Sequence, residues 1–244
     1  MKFKKSKAFK SALWLVTLSI IITTVFSGCD SDNNTSTIET SKVKSDVIVR
    51  EAPEEYPQYD VKFIVKVNGQ DAGVYSDKNS WEKSINFSIF ELREGKTATV
   101  EITPLFEYKT YKILPDKYGI ESKRNINSIR FDISDTKAKL SFVFDDNYKN
   151  TTLHLFVNPI DDNAPTESTD DILYYGPGFH RMRNNISLDS GQTLYVANGA
   201  VISGHVDLMY VDNVTIKGSG IIMRDEESVG NGCVITAYEC NNIN

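Results

Sequence analysis

The chain has 244 residues, enough for one large domain or two small ones. Its 40% apolar and 25% charged residues are those of a soluble globular protein, and a net charge of −6 speaks against nucleic acid, whose partners carry a basic face. Three cysteines, Cys29, Cys233 and Cys240, are too few for a disulfide scaffold and lack zinc-ligand spacing, so neither a metal nor another cofactor is expected.

The first 29 residues stand apart from any fold. Lys2, Lys4, Lys5, Lys7 and Lys10 form a basic start, and residues 13–26 are apolar and free of charge. At about 14 residues that run is short of the roughly 20 that span a membrane as a helix. It ends in Val25-Phe26-Ser27-Gly28-Cys29, which resembles the lipobox of bacterial lipoproteins. The resemblance implies lipidation at Cys29, with two or three acyl chains giving a stable anchor. The expectation is an exported protein, lipid-anchored to the cell membrane and facing outward. An ordinary signal peptide with an incidental cysteine is the alternative. Asp30 follows directly, and in enteric bacteria an aspartate there implies retention at the inner membrane.

Residues 30–57 read as a flexible tether, because Ser31-Asp32-Asn33-Asn34-Thr35 and Glu51-Ala52-Pro53-Glu54-Glu55 bury too little to offset the entropy of ordering. From 58 to 160 the apolar residues recur with period two. Val61, Phe63, Val65 and Val67 lead into an Asn68-Gly69 turn. Ile85, Phe87 and Ile89 follow, then Val100 and Ile102, then Ile129, Phe131 and Ile133. Leu140, Phe142 and Phe144, and finally Leu153, Leu155 and Val157, complete the series. This pattern marks strands with one wet face, here an antiparallel β-sandwich. The 12 Tyr, 12 Phe and 2 Trp suit such strands, which account for them without a sugar-stacking site. Residues 111–120, with Pro115 and Gly119, read as a crossing loop, and 161–171 as a second acidic linker.

Beyond the linker the chain repeats itself at an offset of 20. Ile186 matches Val206, Leu188 matches Leu208, Leu194 matches Val214, Val196 matches Ile216, and Val201-Ile202 match Ile221-Ile222. Self-similarity at that period, broken by Gly, Asn and Asp, marks stacked coils of a right-handed parallel β-helix over 172–244. A third coil starts at Val234-Ile235-Thr236-Ala237, offset by 29 (Val214 against Ile243), so extra residues fall around 224–233, including Asp225-Glu226-Glu227. Two and a half coils leave apolar edges open. The expectation is therefore a fragment of a longer protein or a truncated reading frame.

Two motifs carry a family resemblance. Tyr174-Tyr175-Gly176-Pro177-Gly178-Phe179-His180, with Leu188-Asp189-Ser190-Gly191-Gln192-Thr193-Leu194-Tyr195-Val196-Ala197-Asn198-Gly199-Ala200-Val201, resembles the entry to the β-helix of glycoside hydrolases of families 28 and 49, the polygalacturonases and dextranases. Asn213-Val214-Thr215-Ile216-Lys217-Gly218-Ser219-Gly220 is similar to the coil that follows. The dextranase branch implies a sandwich before the helix, and Leu153-His154-Leu155-Phe156-Val157-Asn158-Pro159 resembles its end.

The resemblance implies hydrolysis by paired carboxyls, which in inverting enzymes stand about 6.5–9.5 Å apart. The family's catalytic aspartates belong to later coils, so no catalytic residue is carried over, and substrate-binding residues remain unassigned. Asp161-Asp162 and Asp170-Asp171 read as solvated spacer. His180 reads as structural at the domain junction and His205 as structural on a turn. Asp225-Glu226-Glu227 reads as a solvated run. Cys233 and Cys240 suit either a disulfide or small buried residues. Gly218-Ser219-Gly220 lacks the helix that a phosphate loop requires. The expected protein is a monomeric glycoside hydrolase-like lipoprotein whose partners are an extracellular polysaccharide and the membrane. A non-catalytic carbohydrate-binding surface protein and a polysaccharide lyase are the alternatives.

Overall fold

The computed structural model describes residues 44–78, 84–224 and 233–244. Among them the chain is all β, with one 3-10 turn and no α-helix, and no helix there is long and apolar enough to cross a membrane. Cys29 and the Asp225-Glu226-Glu227 run lie outside the described residues.

Alternating burial marks the longer strands of the sandwich. The strands are β1 (Val47–Val49), β2 (Phe63–Val67), β3 (Gln70–Ala72), β4 (Val74–Lys78), β5 (Ser84–Leu92) and β6 (Ala98–Pro104). They continue with β7 (Tyr111–Leu114), β8 (Ser122–Arg124), β9 (Ile129–Ile133), β10 (Lys139–Phe144) and β11 (Thr152–Pro159). One sheet runs β3-β2-β6-β9-β8. The other runs β1-β5-β11-β10-β7, with β4 alongside β5. Asn68 and Gly69 take left-handed φ of +49° and +79°, and Val67 faces Gln70 across them, the geometry that a two-residue hairpin needs. Between the sheets Phe63, Phe90, Phe142 and Phe144 are at most 1% exposed, and burying each such side chain stabilises the fold by roughly 1.5–3 kcal/mol.

Three expectations change here. Residues 44–57 are not tether: Val47 pairs with Leu92 in the sheet, and Tyr56 is buried edge-on against Tyr75, 5.1 Å between centroids. A three-residue strand is too short for alternation to reveal, and its partner lies far along the chain. Residues 111–120 are not simply a crossing loop, because β7 pairs along β10 and closes the sheet before a turn at Asp116–Tyr118. The sandwich is also not wholly antiparallel, since β5 and β11 run parallel from Asn86 opposite Leu153 to Leu92 opposite Pro159.

The coils are built from β12 (Ile172–Tyr175), β13 (Gly178–Arg181), β14 (Ile186–Ser187), β15 (Thr193–Val196) and β16 (Ala200–Ser203). Then come β17 (Val206–Met209), β18 (Thr215–Gly218), β19 (Ile221–Met223) and β20 (Ile235–Tyr238). They stack as three parallel sheets, β12-β15-β18, β13-β16-β19 and β14-β17-β20. Leu194, Ile202, Val206, Leu208 and Val214 are fully buried between them.

The expected register is right in two sheets and shifted in the third. Ile186 faces Val206, Val201 faces Ile221, and Val206 faces Ile235. In the first sheet, however, Leu194 faces Ile216 rather than Val214, an offset of 22 (216 − 194). The corner between β17 and β18 is two residues longer than its counterpart below, and the next corner is two shorter. Gly218 makes that short corner possible: its φ is +121°, and a Cβ there would lie 2.0 Å from the Val196 carbonyl oxygen.

Candidate functional site

The sandwich meets the coils along a seam with an apolar part and a polar part. Tyr56, Tyr75 and Phe87 of the sandwich pack on Phe179, Val201 and Ile221, outward residues of β13, β16 and β19. Alternation along β12, β15 and β18 turns Leu173, Leu194 and Ile216 inward. It therefore sets Tyr174, Tyr195 and Lys217 in one outward column.

That column meets the segment leaving the sandwich. The Tyr195 hydroxyl donates to Asp161 Oδ2 at 3.2 Å. Lys217 Nζ stands 3.6 Å from the same oxygen and 5.3 Å from the Tyr195 ring centre. Burial first, then the Asp161 charge, pushes the Tyr195 phenol well above its ordinary pKa, so it stays a donor. A hollow of about 390 Å³ opens beside them, lined by Asn158, Pro159, Asp161, Tyr195, Lys217 and Ser219 among others. Clefts at domain junctions are favoured ligand sites.

Behind the hollow Glu91 of β5 is only 7% exposed. Asn198 Nδ2 lies 3.5 Å from its Oε2 and 3.2 Å from the Ile48 carbonyl oxygen. Burial raises the Glu91 pKa, against the opposing pull of hydrogen bonds from Ser219 and Asn198 and of the Arg50 charge. The seam thus holds two carboxyls in different environments, the asymmetry from which acid–base pairs are made. Neither is free for that work: Asp161 is engaged by Tyr195 and Lys217, and Glu91 is covered. What the seam can do is lock the sandwich to the coils and offer polar groups to a small polar ligand.

A larger hollow of about 920 Å³ lies on the outer face of the five-stranded sheet. Its wall includes Lys123, Arg130 and Asp132, and Asp132 is held by the Thr99 hydroxyl at 2.6 Å. This is a solvated charged surface with no convergent chemistry.

The residues singled out from sequence fall as follows. Asp161 and Asp162 are not solvated spacer. Asp162 pairs with Arg93 at 2.9 Å and Lys44 at 3.4 Å, chiefly the Arg93 hydrogen bond holding its carboxyl below the usual range, and Asp161 belongs to the seam. Asp170 and Asp171 give their carbonyl oxygens to Gln192 Nε2 and the Thr193 amide. His180 Nε2 bonds the Gly176 carbonyl oxygen at 2.7 Å, and His205 Nδ1 bonds that of Cys233 at 2.9 Å. Cys233 is exposed and Cys240 half-buried, and the Cys240 thiol donates to the Leu208 carbonyl oxygen at 3.4 Å. A strand, β19, directly follows Gly218-Ser219-Gly220. Glu91, Tyr195, Asn198 and Lys217 were not legible as a site, because Tyr195 and Lys217 align only at the 22-residue register.

The chain matches no family model and no curated protein. Among solved structures it is similar to Dex49A from Penicillium minioluteum, at a TM-score of 0.56 and 17% identity. The fold is a β-sandwich joined to a β-helix. The likeness covers 80% of this chain and 53% of Dex49A, so the chain spans about half the length of that protein.

Proposed function

We propose that the chain belongs to an exported, glycoside hydrolase-like protein that works on an extracellular polysaccharide, held outward at the membrane through a lipidated Cys29. The observation that carries this reading is the sandwich seated on the opening coils of a β-helix, a fold similar to that of Dex49A over 80% of the chain. The lysine-rich start, the apolar run and Ser27-Gly28-Cys29 support export and anchoring. Acidic composition favours no nucleic acid, and the protein works as a single copy without a cofactor. Hydrolysis is not assigned to the described residues, because both seam carboxyls are engaged or covered. That engagement favours a second reading, a glycan-binding surface protein without turnover.

The 244-residue chain is expected to fractionate with membranes and to be retained by insoluble polysaccharide such as cross-linked dextran or polygalacturonan. It should release neither reducing ends nor unsaturated sugars that absorb in the ultraviolet. Cys29→Ala should move it to the soluble fraction with retention unchanged. Retention by no polysaccharide overturns the reading. Reducing ends released by the chain would return catalysis to Asp161 or Glu91, and unsaturated products would make it a lyase.

A further inference from the structure

Among the described residues of the sandwich, the large apolar side chains left exposed all sit at one of its two ends. They are Tyr59, Val61, Ile64, Leu105, Ile126 and Tyr148, between 38% and 95% exposed. The strand register brings them there together. Tyr59 and Val61 lead into β2, and the Leu105 amide, just past β6, donates to the Lys62 carbonyl oxygen at 2.8 Å. Ile126 tips the turn across which Arg124 faces Ile129, and Ile129 in turn faces Ile102 near the end of β6. Tyr148 lies on the β10–β11 turn, where the Asn150 carbonyl oxygen accepts from Lys62 Nζ at 3.0 Å. The turns of the other end, Asn68-Gly69, Glu94-Gly95-Lys96 and Asp135-Thr136-Lys137, are polar, as solvated turns are.

Scattered apolar side chains on a surface need no explanation, but a set confined to one end marks a contact. The coils do not make it, because they meet the sandwich through Tyr56, Tyr75 and Phe87. Charge narrows the partner. Asp60 is paired with Lys62 at 3.0 Å and Asp146 with Lys112 at 2.6 Å, and Asp145 Oδ1 accepts from the Lys109 and Thr110 amides at 2.9 and 2.8 Å. Lys109, Arg124 and Lys149 stand at this end beside Glu107, on a chain whose net charge is −6. Exposed aliphatic tips, tyrosines and lysines together are the side chains of a lipid–water boundary.

Chain length permits that contact. Ser45 is tied to the polar end, where its carbonyl oxygen accepts from Arg93. The nine residues of β5 set the long axis of the sandwich, about 30 Å at the rise of a strand. The 14 residues from 30 to 43 can reach at most about 46–50 Å, enough for a lipid on Cys29 to enter the same bilayer that the apolar end touches.

We propose that this end of the sandwich docks on the lipid bilayer, an inference that rests on the anchoring reading and adds an orientation to it. Ile126 and Leu105 enter the acyl boundary, Tyr59 and Tyr148 sit among the headgroups, and Lys109 and Lys149 meet lipid phosphates. Glu91 and Asp161 belong to the other end, beside Leu92 and Pro159, so the seam hollow is held away from the membrane.

Nitroxide depth measurement tests this on the anchored chain expressed from the full 244-residue sequence, in vesicles of phosphatidylcholine and phosphatidylglycerol. Cys233 and Cys240 are changed to serine, and one label is carried by Ile126→Cys or, at the polar end, by Lys137→Cys. Oxygen, which dissolves in lipid, is expected to collide several-fold more often than a water-soluble nickel chelate at position 126, and less often at position 137. Leu105→Asp, at an exposed position, should bring the ratio at 126 down toward that at 137 with the melting temperature unchanged, and a ratio it does not move overturns the proposal. Equal ratios at 126 and 137 on a chain that stays with the vesicles overturn the docking and leave the anchor standing. A chain that does not stay with the vesicles removes both. A label at 126 shielded from both probes, increasingly with protein concentration, would make this end a contact between copies instead.

Discussion

Glu91 is the residue whose proton reports on the seam. Burial raises its pKa above the ordinary 4.5 of an unfolded chain, so the folded state binds that proton more tightly than the unfolded one. Its stabilising contribution is complete below pH 4.5 and is lost as pH rises through the folded value. Glu91→Gln keeps the shape and the hydrogen-bonding capacity toward Asn198 and Ser219. At pH 7 the variant is expected to melt at a higher temperature than the parent, and below pH 4.5 the two should melt together. A variant that is less stable at pH 7 would mean that the ionised carboxylate holds the seam. None of this was legible in the sequence. Glu91 and Asn198 lie 107 residues apart, and Asn198 and Ile48 lie 150 apart, so no local pattern joins them.

Among the elements, β2, β6 and β9 were readable because each alternates throughout, and β5, β10 and β11 because alternation runs through much of their length. β1 was not, because three residues among acids and prolines carry no period. Its place in the sheet has a direct consequence. Val47, 5% exposed and opposite Leu92, should not tolerate charge. Val47→Asp is expected to cost about 2–4 kcal/mol in chemical denaturation, whereas a free tether at that position would show no change. The coils taught a different lesson. Aliphatic matches at an offset of 20 located the repeat correctly, yet Val214 is a buried corner residue and Ile216 takes the strand position opposite Leu194. Corner lengths set the register of each sheet separately, and a single offset cannot express that. The Asn213–Asn242 bond and the bonds from Asn241 to Asp212 Oδ1, at 2.8 and 2.9 Å, keep the 29-residue register across the insertion.

For the whole molecule, sequence reached the order of parts, sandwich then β-helix, because period-two alternation and self-similarity are local signals. It did not reach how the parts join, since the aromatic packing of Tyr56, Tyr75 and Phe87 on the coils and the Asp161–Tyr195–Lys217 cluster are assembled only in the fold. Aromatic residues that strands alone seemed to explain divide in the structure. Tyr56 and Tyr75 are buried at the seam, while Tyr210 and Tyr238 face solvent on the coils. The most direct test of a glycan-binding surface is to titrate the tyrosine-labelled 244-residue chain with an oligosaccharide and follow each tyrosine by nuclear magnetic resonance. Saturable shifts at exposed tyrosines, with Tyr56 and Tyr75 unmoved, are expected. No shift with any glycan would contradict it.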